Sequence, residues 1–180
     1  MKKIVLIVSF VASSAILLAQ AKATKELQDK FEGSLSLYFY KNTLRMLNQS
    51  DDKDFDEMIN NIEKLKFLMV DKSAKNFGAK DYQKLLKDYR AENYEPIVTS
   101  RIEGRNVDIY LNDKKGSTPG TVMLVNDSTN LFVLDMIGTI DVTKAGALFS
   151  AIDGSTDIGK RIKDFTEHKG KKKGTKTEEH

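Results

Sequence analysis

The sequence predicts an α+β fold: one antiparallel β-meander sheet of five or six strands with helices packed on one face. Three observations predict it. Between Ile97 and Ile140 four β-rich runs follow one another, separated only by short turn signals. Earlier in the chain, apolar residues recur at helical spacing around Phe55 and again around Tyr82. Leu35, Leu37 and Phe39 alternate with Ser34, Ser36, Tyr38 and Tyr40, the two-residue period of a half-buried strand. At 180 residues, 40% of them hydrophobic, the chain is one domain's worth and needs no disulfide or metal staple.

The elements follow in order. Lys2 and Lys3, the apolar run Ile4 to Leu18 and the small-residue site Ala19-Gln20-Ala21 read as a cleaved export leader over residues 1–21. The mature chain then begins at Lys22, with Ala21-Lys22-Ala23 as the alternative site. The apolar run is shorter than the ~20 residues of a spanning helix. With no Cys to carry a lipid, the expectation is an unlipidated periplasmic or secreted protein without a transmembrane helix in the mature chain. Lys25 to Glu32 reads as a leader into the fold or a short helix carrying Leu27 and Phe31, and Ser34 to Tyr40 as a strand. Asn42 to Asn48 is a short helix burying Leu44 and Leu47. Past a polar break at Gln49 to Asp52, the residues Phe55, Met58, Ile59, Ile62 and Leu65 form an amphipathic helix opened by an Asp54/Glu57 capping box. Lys66 to Val70 is a buried strand.

Tyr82, Leu85, Leu86 and Tyr89 define a helix from Ala79 to Glu92, ending ahead of Pro96. Ile97 to Ile102, Val107 to Leu111, Thr121 to Asn126 and Leu131 to Ile140 are strands. Their connections are too short for parallel crossovers, which makes them a meander. Asp141 or Thr143 opens a helix with Ala145, Leu148 and Phe149, and Ile158, Ile162 and Phe165 mark a last amphipathic turn. Residues 22–166 form a single α+β domain, and residues 167–180 a disordered Lys-rich tail, since Lys/Gly runs bury no apolar surface.

Composition excludes several function classes. Absence of Cys removes thiol nucleophiles, Cys-ligated zinc, iron–sulfur clusters and disulfides. Both histidines, His168 and His180, lie in the tail, so the folded body carries none. Without Lys2 and Lys3 the chain has 27 basic and 26 acidic residues, and residues 22–166 hold 22 and 23. A near-neutral body argues against a nucleic-acid face. The tail segment Lys169 to Lys176 is the one stretch suited to anionic surfaces.

The candidate constellations are sparse. Asp52-x-Asp54-x-Asp56 with Glu63 at the twelfth position approaches a calcium loop. However, Glu57 stands where the sharp turn needs Gly, and the acids read better as a helical first turn, with weak calcium binding by Asp51, Asp52 and Asp54 as the residual case. Asp135 sits mid-strand among Leu134, Met136 and Ile137, where burial raises its pKa toward a general acid's. No partner acid is identifiable, so the preferred reading is that its face of the strand is solvated at that point or pairs it with a Lys or Arg from a neighbour. Asp141 is a helix N-cap. Ser117-Thr-Pro-Gly120 and Gly154-Ser-Thr156 are turns, not phosphate loops. Tyr38-Phe39-Tyr40 suits a sugar or a partner strand, although strand propensity accounts for it. No catalytic, cofactor-binding or metal residues are assigned, and no cofactor.

Three segments carry a family likeness. Leu35-Ser-Leu-Tyr-Phe-Tyr-Lys-Asn-Thr-Leu-Arg-Met-Leu47, Tyr94-Glu-Pro96 and Phe132-Val-Leu-Asp-Met-Ile-Gly-Thr-Ile-Asp-Val142 resemble the exported family catalogued as domain of unknown function 4252, found in Bacteroides-type Gram-negative bacteria. The resemblance implies an envelope protein of unassigned role, tied to envelope-stress signalling, and brings no catalytic residues with it. Together these readings favour a non-enzymatic interaction module with an envelope protein partner. The alternatives are a small amphiphile carrier with a cavity between helices and sheet and, behind it, a carboxylate-dependent glycan hydrolase using Asp135.

Overall fold

Strand alternation sorts the side chains onto two sheet faces, and each face recruits its own helices. The computed structural model describes residues 20–47, 52–102, 104–114, 119–141 and 143. Its elements are α1 (Lys22–Lys30), β1 (Leu35–Tyr40), α2 (Lys41–Leu47), α3 (Lys53–Ile59), β2 (Ile62–Asp71), α4 (Lys72–Lys75), α5 (Ala79–Ala91), β3 (Glu95–Ile102), β4 (Arg105–Asn112), β5 (Gly120–Asn126) and β6 (Asn130–Gly138). The strands form one antiparallel sheet in the order β1-β2-β6-β5-β4-β3. The expected meander is β3 to β6, with β2 docked beside β6 and β1 outermost. The α+β class is the one the sequence predicts. No helix of the described residues is long and apolar enough to cross a membrane.

The register places Leu37, Phe67, Leu134, Met123 and Ile109 in one row across five strands. Leu44 of α2 and Phe55, Met58 and Ile59 of α3 pack on that face. The adjacent row, on the opposite face, runs Tyr38, Lys66, Asp135, Val122 and Tyr110. Ala23 and Leu27 of α1 and Tyr82, Leu85, Leu86 and Tyr89 of α5 cover that second face, over Leu68, Val70, Leu124, Leu131 and Val133. The helices therefore divide between the two faces instead of all lying on one. The reason is in the central strands: β2 and β6 are apolar at odd and even positions alike, so either face left bare would expose Leu and Val to water.

The stretch from Phe55 to Leu65 departs from expectation. Helix α3 stops at Ile59, and Ile62 and Leu65 belong to β2. Ile62 and Leu65 satisfy the helical period, but Leu65, Phe67 and Met69 satisfy the strand period as well. The strand wins because β2 pairs along its length with β1 on one side and β6 on the other. The helix cap also moves, from Asp54 to Asp52, whose carboxylate accepts from Asp54 N (2.9 Å) and Phe55 N (3.3 Å). Asp71 caps the unanticipated α4 in the same way. Helix α5 and the four meander strands lie within two residues of their expected bounds. The leader's residues 1–19, Ser117, the helices expected beyond Asp141, Gly154 to Thr156 and the tail lie outside the described residues.

Gly138 closes β6 with φ +123°, and a methyl there would collide with the Asn61 carbonyl oxygen at the entry to β2. Gly138→Ala is expected to cost about 3 kcal/mol or more. Asp52→Ala, which removes only a cap, should cost about 1 kcal/mol. Urea unfolding of the two variants beside the parent checks both the size and the order of these losses.

Candidate functional site

Helix α1 carries no acidic residue in its first turn, and Ala21 offers its N-terminus no side-chain cap. Its exposed N–H groups and positive dipole end call for an anion from elsewhere. Two carboxylates supply it. Glu92, just past the end of α5, accepts from Lys22 N at 2.7 Å and Ala23 N at 2.5 Å. Asp135 Oδ2 accepts from Ala21 N at 3.1 Å. Glu92 sits at the negative end of its own helix, an unfavourable place for an acid that the start of α1 offsets.

Asp135, the residue singled out by the sequence, has 0% of its surface exposed. Alternation on β6 turns it toward the α1/α5 face, opposite Lys66 of β2 in the ladder. Burial raises its carboxyl to about 6, although the Thr24 hydroxyl, the Ala21 N–H and the Lys66 charge pull the other way. Its Oδ1 has no hydrogen-bond partner. Thr24 Oγ1 and Tyr89 OH share a hydrogen bond of 2.8 Å beside it. Burial first, then the Asp135 charge, holds the Tyr89 phenol protonated well above its ordinary value. The strand face is therefore not solvated at that point, because α1 covers it; Lys66 stands opposite across the ladder, and the hydrogen bond comes from a main-chain N–H that one-dimensional reading does not reveal. Beneath α1 the carboxylate holds the start of that helix through the Ala21 N–H.

A second buried carboxylate, not singled out from the sequence, lies on the same face. Asp108 of β4 accepts from the Tyr82 hydroxyl of α5 and from Thr99 Oγ1 at 2.9 Å. The signal is present in Val107-Asp108-Ile109-Tyr110, one acid inside a β-run, the pattern that marks Asp135. Burial, then the bond to Asp108, pushes the Tyr82 phenol up.

The remaining candidates separate. Asp52 is the α3 cap, Asp54 and Asp56 stand in its first turn, and Glu63 lies on β2, so the twelve-residue span is helix plus strand. Among the described residues no group of three His, Cys, Asp or Glu is placed to hold a metal ion. Asp141 Oδ1 accepts from Thr143 N (2.9 Å) and Thr143 Oγ1 (2.6 Å), and the helix it is expected to cap lies outside the described residues. A hollow of about 220 Å³ between α1 and α5 is lined by residues of those helices and their ends, with Lys30, Asp81, Lys84 and Asp88 among them, and by none of the sheet. Tyr38 and Tyr40 are 45% and 58% exposed on the outermost strand, whereas Phe39 turns to the α2/α3 face. Lys64 Nζ lies 5.3 and 5.5 Å from the two tyrosine ring centres, and Lys66 Nζ 5.5 Å from that of Tyr38.

A family model described as "Domain of unknown function (DUF4252)" matches residues 28–148. No curated protein and no solved structure matches the chain.

Asp135 should leave a signature in stability against pH. In a chain that keeps Gln20 and Ala21, the unfolded carboxyl ionises near its ordinary 3.8 while the folded one keeps its proton to about 6. Stability therefore falls as pH rises through that window, by about 3 kcal/mol at the upper bound, and is flat above it. The difference between parent and Asp135→Asn in urea unfolding from pH 3.5 to 7 is expected to carry this slope, isolated from all other acids.

Proposed function

Given that the chain belongs to the DUF4252 family, which has no assigned role, we propose that it is a non-enzymatic interaction module of the cell envelope that takes an extended, acidic segment of a protein partner along the free edge of β1. The observation that carries this reading is the pair of exposed tyrosines on the outermost strand with Lys64 beside both rings. An edge strand offers a row of main-chain donors and acceptors, and no strand among the described residues pairs with that side of β1. Tyrosines present large contact area at small entropic cost. Lys64, beside both rings on the neighbouring strand, and the exposed Lys41 next in sequence favour an acidic segment over a basic one. The envelope address rests on the leader, and a part in envelope-stress signalling rests on what the partner proves to be.

A photo-crosslinking residue at position 40, in protein expressed with its leader, is expected to yield an adduct whose partner peptide is extended and acidic by mass spectrometry. The same residue at Ile97, exposed on the opposite edge strand β3, should yield none. Lys64→Glu should weaken the adduct at least tenfold. Equal labelling from both edges, or indifference to Lys64→Glu, would remove the β1 edge as the docking surface.

A further inference from the structure

Hydrolysis of the Ala21–Lys22 bond by a leader peptidase adds water across the amide. The new carboxylate departs with Ala21, and the amine stays on Lys22 and takes up a proton at neutral pH. One main-chain nitrogen thereby becomes a cation. In the fold that nitrogen already donates to Glu92 Oε2 at 2.7 Å, and Ala23 N donates to the other oxygen of the same carboxylate. The nitrogen one residue upstream is the one held by fully buried Asp135, whose Oδ1 is still without a partner.

Resting on the reading of residues 1–21 as a cleaved leader, on which the proposed envelope address also rests, we infer that Glu92 and Asp135 form a binding site for the α-ammonium group that processing creates at Lys22, so that leader removal completes the docking of α1 on the sheet. The charges around the site support a cationic occupant. Asp135 comes from β6, Glu92 from the end of α5, and Lys66 from β2 is the buried base facing them. Tyr89 and Tyr94 face the site as protonated phenols, and the Lys22 side chain is turned to Glu26 at 3.2 Å. Two acids against one base leave the site one positive charge short, and the ammonium supplies it. Cleavage takes the Ala21 amide away from Asp135 and sets a group with three donors one residue along the chain. It also gives up the burial of the Ala21 methyl, which is 3% exposed, so the ammonium has to outweigh that loss.

The test has two arms. Intact mass of the exported protein identifies its first residue. A start at Lys22 supports the inference, and any other start overturns it by removing the occupant, whatever the site's affinity. Separately, the chain from Lys22 to His180, released from a fusion with a free amine, is compared with its Nα-acetylated counterpart. An α-amine ordinarily titrates at about 7.7–8.0. Held by two carboxylates it should titrate at least one pH unit higher by NMR, a tenfold change in proton affinity. Its stabilisation is then complete below about pH 7.7 and is lost as pH rises through the raised value. Accordingly the free-amine form should melt several degrees above the acetylated form at pH 7, with the gap closing in alkali. Glu92→Gln should narrow the gap by lowering the free-amine form more than the acetylated one. An α-amine that titrates normally, no melting gap, or equal losses in both forms with Glu92→Gln would show that the carboxylates only cap a helix.

Discussion

A carboxylate placed in the middle of an apolar sheet face has to be matched, and the arrangement of the α1/α5 face follows from that requirement. Asp135 lies on a central strand between β2 and β5, with Val133 on its own face two residues away. Leaving such a group charged and unanswered would cost several kcal/mol. Lys66 answers part of it across the ladder, and the N-terminus of α1 answers part from above. Asp108 does the same for α5 through Tyr82. Hydrophobic burial would hold these helices to the sheet in many registers, because it is non-directional. The two acids select one register each.

The second constraint is that the central strands are apolar on both sides. This turns the molecule into three layers, with α1 and α5 on one face and α2 and α3 against the other. Close backbone approach then becomes necessary at the strand ends, and glycine meets it. Gly138 lets the Asn61 carbonyl pass, and Gly120 lies under the Tyr94 ring, where a side chain would meet the hydroxyl. Tyr94 in turn stacks edge-on against Tyr89, with ring centres 5.7 Å apart, and Tyr89 lies 6.0 Å from Tyr110. The aromatic cluster closes the end of the core beside the carboxylate site.

These two constraints set what each margin of the sheet presents. The polar groups of the α1/α5 face are used internally, beneath helices, and do not face solvent. What the fold presents outward instead is the margin of the sheet: β1, with alternate tyrosines turned to water, and β3, with Pro96 and a register shift that interrupt its ladder. Proline and irregular register protect an edge from pairing, whereas β1 has neither among its residues. The two edges of one sheet are thus chemically unequal: β1 carries the exposed tyrosines, with Lys64 of β2 beside them.

Much of this was legible in the linear chain, and the reason is local. The two-residue alternation of Leu35 to Tyr40, the helical period of Tyr82 to Tyr89 and the short turns between the meander strands are properties of neighbours in sequence, so they set class, meander and helix α5 directly. The unusual position of Asp135 was also visible, because a lone acid in a β-run stands out against its flanks. What lies between Phe55 and Leu65 was not decidable locally, since the same residues satisfy both periods; pairing with β1 and β6 broke the tie. Nor did the chain reveal that Asp135 and Glu92 meet the start of α1, contacts that span 114 and 70 positions and involve main-chain nitrogens with no sequence signature. Local spacing determines which elements form, while only the folded sheet decides which distant backbone groups a buried charge is brought to meet.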